Sequence, residues 1–187
     1  MRNWTVGATA LLAALALAPA TLAAQNCFVR GNLADRPSPL DSATVSMGGE
    51  EVKVCYGAPS ARGRELVGGD PHPFGRPWRL GANEATAIHL PFAASVAGVE
   101  VSAGSYSLYA VPGADEWEIF VNSNAERWGV PVNAAVMEAN VGSGTVPASD
   151  NEHVERMTMT FESASDTGAT LVLRWESYRV DIPVMRR

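Results

Sequence analysis

Residues Tyr106 to Val121 carry the clearest structural pattern in the chain. They read Tyr-Ser-Leu-Tyr-Ala-Val, then Pro-Gly-Ala-Asp, then Glu-Trp-Glu-Ile-Phe-Val. Two alternating runs joined by Pro-Gly at the centre of a turn are typical of a β-hairpin. The apolar face of the second strand would consist of Trp117, Ile119 and Val121. The stretch therefore predicts antiparallel β-structure with one buried face.

Shorter alternating runs separated by Gly and Pro occur on both sides of this hairpin. They predict strands over residues 43–47, 51–56, 85–90, 99–101, 157–161, 171–176 and 178–184. No stretch of ten residues shows the apolar spacing of an amphipathic helix. Many short strands with intervening turns predict an all-β domain over residues 42–187. The expected fold is a single antiparallel β-sandwich, with a barrel-like closure as the alternative.

Other regions are predicted to be irregular. Residues 24–41 are polar and contain proline, which predicts an irregular N-terminal arm, and residues 57–83 contain six Gly and four Pro, which predicts a long loop. A helical turn is expected over 124–129. The least regular part is expected to contain a strand over 132–141 and a turn-rich connection over 142–151.

The first 23 residues have the pattern of a secretory signal peptide. Arg2 gives a positive start, Val6 to Ala18 is an apolar run, and small residues precede a cleavage site after Ala23, with Ala24 as a near alternative. The apolar run of about 13 residues is too short to cross a bilayer as a helix. The mature protein is therefore expected to be exported, periplasmic or secreted, without a transmembrane segment.

Cys27 and Cys55 are the two cysteines of the chain. Because an exported protein folds in an oxidising compartment, a disulfide between them is the leading prediction, and two free thiols are the alternative. In the chain-entropy model such a crosslink stabilises a domain by about 3–4 kcal/mol. It would fasten the new N-terminus to a strand.

Charge and motifs exclude several classes of function. The formal net charge is −6, from 14 basic and 20 acidic residues, which argues against binding to nucleic acid or to anionic membranes. The sequence predicts no cofactor, since no glycine-rich phosphate loop precedes a helix. No metal site is predicted, because His72, His89 and His153 occur singly and without metal-ligand spacing.

Several motifs between about Ser42 and Val184 resemble one bacterial family. The most specific is Trp-Arg-Leu-Gly-Ala-Asn-Glu-Ala-Thr at residues 78–86. It is accompanied by Tyr-Gly-Ala-Pro at 56–59, Arg-Gly-Arg at 62–64, Pro-Phe-Gly at 73–75 and Leu-Val-Leu-Arg-Trp-Glu at 171–176. These motifs resemble the family of unknown function catalogued as DUF2911. The resemblance implies an exported bacterial domain and no known reaction.

The stretch from Pro73 to Thr86 is also the best candidate for a functional surface. Arg79 and Glu84 flank a turn-prone Gly-Ala-Asn segment, so we expect them to form an ion pair across the turn. The same residues could instead hold a ligand, with an arginine for carboxylates, amide and carboxylate groups for hydroxyls, and a tryptophan for stacking. The candidate ligand-binding residues are Trp78, Arg79, Asn83, Glu84 and Arg64.

These candidates favour a ligand-binding or interaction module of the cell envelope over an enzyme. Its partner would be a small molecule, a glycan or an envelope protein. One alternative is a hydrolase of sugar or peptide bonds that uses Glu84 with Glu65 or Asp70, which requires two carboxylates about 5–10 Å apart in an open groove. Such carboxylate pairs are common in acidic proteins. Another alternative is a purely structural domain.

Overall fold

The computed structural model describes Met1 and residues 26–187. The predicted signal peptide's apolar run and its cleavage site at Ala23 or Ala24 lie outside the described residues. The described part is almost entirely β-structure, as the sequence predicts. Its elements in chain order are β1 (Leu40–Met47), β2 (Glu50–Gly57), β3 (Ala82–Leu90), β4 (Ala94–Val96), β5 (Val99–Val101), β6 (Gly104–Val111), β7 (Glu116–Asn122), α1 (Ala134–Met137), β8 (Asn140–Glu162) and β9 (Gly168–Arg186).

All nine strands belong to one antiparallel sheet that does not close into a barrel. The strand order is β1-β2-β3-β6-β7-β8-β9-β4-β5. Strand β8 pairs first with β7, through registers such as Trp117↔Val146, and then with β9, through registers such as Phe161↔Leu171. The sheet bends along β8, and a Cβ added at Gly144 would collide with the carbonyl group of Ala97 in the β4–β5 turn. The predicted sandwich arrangement is confirmed, and the barrel-like alternative is wrong.

The apolar faces of both parts of this bent sheet share one core. Val54 and Ile119 contribute from the β1–β7 side, and Leu173 and Ile182 contribute from β9; all four are fully buried. Burial of such a side chain contributes about 1.5–3 kcal/mol relative to exposure in water. This core is the rigid base on which the loops at one end of the sandwich are held.

The predicted hairpin of residues 106–121 is confirmed as β6 and β7, but the region after β7 differs from its prediction. Residues 124–129 form no helix, and the expected strand over 132–141 contains instead α1, which Asn133 caps by accepting a hydrogen bond from the amide of Val136. The expected turn-rich segment 142–151 lies inside β8. Pairing with β7 and then β9 keeps this polar segment extended, which local alternation does not reveal. For the same reason the two strands expected over 171–184 are one continuous β9.

The N-terminal arm is irregular in its described part, residues 26–39, and it is fastened at several points. The predicted disulfide joins Cys27 to Cys55, with 5.6 Å between the two Cα atoms. The Pro39 carbonyl accepts a hydrogen bond from the amide of Ala58. Strand β1 begins at Leu40, two residues before the expected start of the β-domain at residue 42. The arm therefore lies against the sheet rather than extending away from it.

No helix in the described part of the chain is long and apolar enough to cross a membrane.

Candidate functional site

The long loop over residues 58–81 is held across one end of the sandwich by a buried carboxylate. Glu176, in β9, is 6% exposed, and its two carboxylate oxygens accept hydrogen bonds from the amides of Leu66 and Val67 at 2.8 and 3.0 Å. The backbone of Glu176 has a φ of 54°, a conformation that L-residues adopt only where their surroundings hold it. These bonds satisfy two loop amides and fix the loop to β9.

Aromatic side chains form the floor beneath this loop. Trp78 exchanges two backbone hydrogen bonds with Ala110, and its ring stacks on Trp175 of β9, with 5.4 Å between ring centroids. The His72 ring also packs on the Trp78 indole, with 5.0 Å between ring centroids, and the Trp117 ring meets the Trp78 indole edge-on. Trp78 is only 3% exposed. Its ring therefore belongs to the core and offers little free surface on which a ligand could stack.

A pocket of about 450 Å³ opens between the loop, the N-terminal arm and the segment that follows β7. Its lining combines arginines with prolines, valines and aromatic rings. The lining residues are Pro37, Ser38, Pro59, Ser60, Arg62, Arg64, Leu66, Pro71, His72, Pro77, Trp78, Arg79, Gly81, Ala82, Val130, Val132 and Trp175. None of these described residues is acidic.

Arg79 is the cation that is set deepest among the three arginines of this pocket. Its side chain is half-buried, and burial lowers the pKa of its guanidinium. The Nε atom is buried, and Arg79 has no hydrogen-bond or ion-pair partner within the part of the chain that the structure describes. A Cβ at Gly129 would collide with the Arg79 side chain, so glycine at 129 leaves room for it. The fold thus has space for the Arg79 side chain but provides no counter-charge for it among the described residues.

The other two arginines of the pocket are more exposed than Arg79, and His72 is half-buried. Arg64 donates from Nε to the Ala61 carbonyl at 3.0 Å, and Arg62 is exposed. Burial lowers the pKa of His72 to about 4, and the charges of Arg79 and Arg64 add to this effect while Asp70 opposes it. His72 is therefore neutral near pH 7. The pocket combines positive charge with a neutral imidazole.

Glu84 lies outside the pocket and anchors the N-terminal arm. Arg36 donates to its two carboxylate oxygens at 2.6 and 2.8 Å, and the amide of Arg30 donates to Oε1 at 2.6 Å. Burial alone raises the pKa of Glu84, but the hydrogen bonds from Arg36 and Arg30 outweigh it and hold the pKa below its usual value. The expected Arg79–Glu84 ion pair is therefore wrong, because a residue of the arm occupies the carboxylate.

The other candidate residues separate into two groups. Trp78, Arg79 and Arg64 line the pocket, whereas Asn83 donates from its side chain to the Ser38 carbonyl at 2.8 Å and so supports the arm. Glu65 and Asp70 are exposed and are not among the described lining residues. Glu84 is 4% exposed and paired with an arginine, so it does not meet the requirement of the hydrolase hypothesis for two carboxylates in an open groove.

The remaining histidines lie apart from each other. His89 forms a 2.8 Å hydrogen bond between Nδ1 and the Ser105 hydroxyl, next to Cys55, and His153 lies 3.7 Å from the carboxylate of Glu155. Among the described residues, no group of three or more His, Cys, Asp or Glu side chains could hold a metal ion.

Several pocket residues carried no signal in the sequence. Pro37 and Ser38 come from the arm, Val130 and Val132 follow β7, and Trp175 belongs to β9. These segments are far apart in the chain, so only their positions in the fold bring them together. The Arg-rich, Pro-rich loop was the available signal, and it identified one wall of the pocket.

Comparisons with known proteins locate the chain at the level of a family. No match was found among curated proteins or among solved structures. A family model described as a protein of unknown function, DUF2911, matches residues 38–184, which include both β-sheet parts and all of the pocket except Pro37. The chain belongs to the DUF2911 family.

Proposed function

We propose that this protein is an exported ligand-binding module whose site is the pocket beside Arg79. The observation that carries the proposal is the half-buried Arg79 guanidinium, which faces the pocket without a partner among the described residues. Buried polar groups in folded proteins are almost always hydrogen-bonded, and buried charges are paired. A charge left unpaired at a pocket is therefore a group that a ligand can complete.

The dimensions and the framework of the pocket support this proposal. Its volume of about 450 Å³ lies within the range of roughly 300–1,000 Å³ that small-molecule sites occupy. The surrounding segments are fixed by the Glu176 carboxylate, by the Cys27–Cys55 disulfide and by the Arg36–Glu84 ion pair. A ligand would thus enter a preformed site and would not have to order a flexible loop, which favours affinity.

The signal-peptide pattern of residues 1–23 supports the proposal of export, and the disulfide is in keeping with an oxidising compartment. The ligands to test first are therefore small molecules of the cell envelope: sugars, amino sugars, muropeptides and short peptides. A ligand at one hundred times its Kd stabilises a protein by about 2.7 kcal/mol. For a domain of this size that corresponds to a Tm increase of roughly 5–10 °C.

The test is a thermal-shift screen of the mature protein with this panel, repeated with Val132→Trp and Val141→Trp. Val132 lines the pocket, whereas Val141 is exposed in β8 and is absent from the described lining, so the second variant controls for the added indole. We expect a ligand that stabilises the wild type to lose its effect in Val132→Trp and to keep it in Val141→Trp. A panel without any stabilising compound, or a shift that survives in Val132→Trp, would contradict the proposal.

A further inference from the structure

We infer that the ligand of this pocket carries an oxyanion, which is a carboxylate or a phosphate. This oxyanion binds to Arg79, which lies within the pocket, and to Arg64, which lies at its rim. This inference rests on the proposed function and specifies its ligand class. It follows from the distribution of charge, from the geometry of guanidinium groups and from the composition of the pocket wall.

The charge of the pocket is opposite to that of the protein as a whole. Acidic residues outnumber basic ones by 20 to 14, yet the described lining contains three arginines and no acid. Elsewhere the arginines of the structure commonly find carboxylates. Those in ion pairs are Arg36, Arg174, Arg179, Arg186 and Arg187. Acids are thus plentiful, and the Glu155 carboxylate accepts a hydrogen bond from the backbone amide of Arg62, but no acid is among the described residues that line the pocket.

Arg79 gains most from an added anion. Burial lowers the pKa of its guanidinium, which means that loss of water destabilises the charged form, and no ion pair with a described residue offsets this loss. The guanidinium group is a planar fork of donors whose geometry matches the two oxygens of a carboxylate or a phosphate. A bound oxyanion would supply the missing charge and the missing acceptors together.

Arg64 is positioned to assist Arg79. Its Nε donates to the Ala61 carbonyl, which directs the side chain while its terminal nitrogens have no partner among the described residues. The charges of Arg79 and Arg64 both lower the pKa of His72, which places both arginines near the same ring. His72 itself is neutral near pH 7, so it can offer a hydrogen bond without competing for the anion.

The rest of the wall indicates that the anion belongs to a larger organic molecule. A pocket of about 450 Å³ is much larger than a single oxyanion requires. Four prolines and two valines of the described lining provide apolar surface for a ring or a chain; they are Pro37, Pro59, Pro71, Pro77, Val130 and Val132. A sugar acid, a sugar phosphate or a peptide carboxylate combines such a body with the required charge.

The decisive measurement is an NMR titration that observes the arginine Nε–H resonances of the mature protein. Inorganic phosphate and acetate serve as probes, at an ionic strength kept constant with sodium chloride. We expect the Arg79 resonance to shift in a saturable way with at least one anion, while Arg174, which is paired with Glu162, stays within the linear drift caused by salt. An Arg79 resonance that shows no saturable shift with either anion would overturn the inference.

Three variants assign the effect to particular residues. Because a charge-assisted bidentate contact contributes about 1.5–3 kcal/mol, Arg79→Gln should raise the Kd of the anion roughly 10- to 100-fold. Arg64→Gln should raise it less. Arg76→Gln is the matched control, since Arg76 is an exposed arginine of the same loop that does not line the pocket. An equal effect of Arg79→Gln and Arg76→Gln would show a general charge effect and would contradict the inference.

Matched organic probes identify the anion and separate this inference from the proposed function. Glucuronate and glucose 6-phosphate are compared with glucose, so the carboxylate and the phosphate are each tested on the same ring. A preference for either acid that is lost in Arg79→Gln supports the inference and names the group. If a neutral ligand from the thermal-shift panel binds in a Val132-dependent way and Arg79→Gln has no effect on it, the ligand-binding function stands and the anionic class is wrong.

Discussion

Arg79 and Glu84 are five positions apart in the same motif, yet their surroundings are opposite. Glu84 is fully engaged by Arg36 and by the amide of Arg30, and it joins the N-terminal arm to the sheet. Arg79 is half-buried beside a pocket and has no partner among the described residues. Charge and position in the sequence therefore do not by themselves define the role of a residue. A charged group with all its partners fixes the structure, whereas one that lacks them is available to a ligand.

The comparison is tested most strongly at Glu84. In Glu84→Gln the buried Arg36 guanidinium loses its counter-charge, which should lower the free energy of unfolding by about 2–3 kcal/mol. Urea unfolding of wild type and variant gives this difference. Glu162→Gln is the control, because Glu162 pairs with two arginines at the surface, where ion pairs contribute little, and its loss should be much smaller. Equal effects of the two variants would mean that Glu84 is not an anchor.

A second test uses the pH dependence of stability and concerns His72. Its pKa is lowered to about 4 in the folded state, so the unfolded chain binds more protons between pH 6.5 and pH 4. The contribution of the neutral imidazole to the free energy of unfolding is therefore fully present above pH 6.5 and is lost as the pH falls toward 4.

In the variant His72→Gln, the loss of stability between pH 6.5 and pH 4 that is due to this imidazole should disappear. After allowance for the partial exposure of His72, the wild type should lose about 1–2 kcal/mol more than His72→Gln over that range. The comparison uses the change with pH, since the substitution also removes packing against Trp78. His153→Gln is the control, because this histidine is exposed. Parallel pH curves for wild type and His72→Gln would show that the imidazole is not held neutral.

The smallest effect on stability is expected at Arg79. Because Arg79 has no partner in the described structure, Arg79→Gln should change the free energy of unfolding by less than about 1 kcal/mol, and removal of the desolvated charge could even increase it. Urea unfolding without added anions is the measurement. A loss of unfolding free energy as large as that of Glu84→Gln would place Arg79 among the structural residues and would contradict the difference in role between Arg79 and Glu84.

The sequence was informative where local pattern and final contacts agree. The hairpin of β6 and β7 follows from alternation and from its Pro-Gly turn, and the Cys27–Cys55 pairing follows from having two cysteines in a chain with the pattern of a secretory signal peptide. Two residues of the motif at residues 78–86, Trp78 and Arg79, line the pocket, and their role in binding stays a prediction.

The sequence could not show contacts made by distant segments. Glu84 was assigned to Arg79 because the two are neighbours in the chain, whereas its partner Arg36 is 48 positions away and reaches it only because the arm returns to β3. The polar residues 142–151 read as turns, and only pairing with β7 and β9 makes them a strand. The pocket likewise depends on Trp175 of β9, which no local pattern connects with the loop.

The length of strand β8 has a consequence for how the protein unfolds. Its 23 residues serve one part of the sheet through β7 and the other through β9. Residues 140–147 of β8 pair with β7 and residues 148–162 pair with β9, so one continuous strand joins the two parts, which also share one core. Melting should therefore be a single cooperative event, and the pocket, whose walls come from both parts, is expected to keep its shape until the whole sandwich is lost.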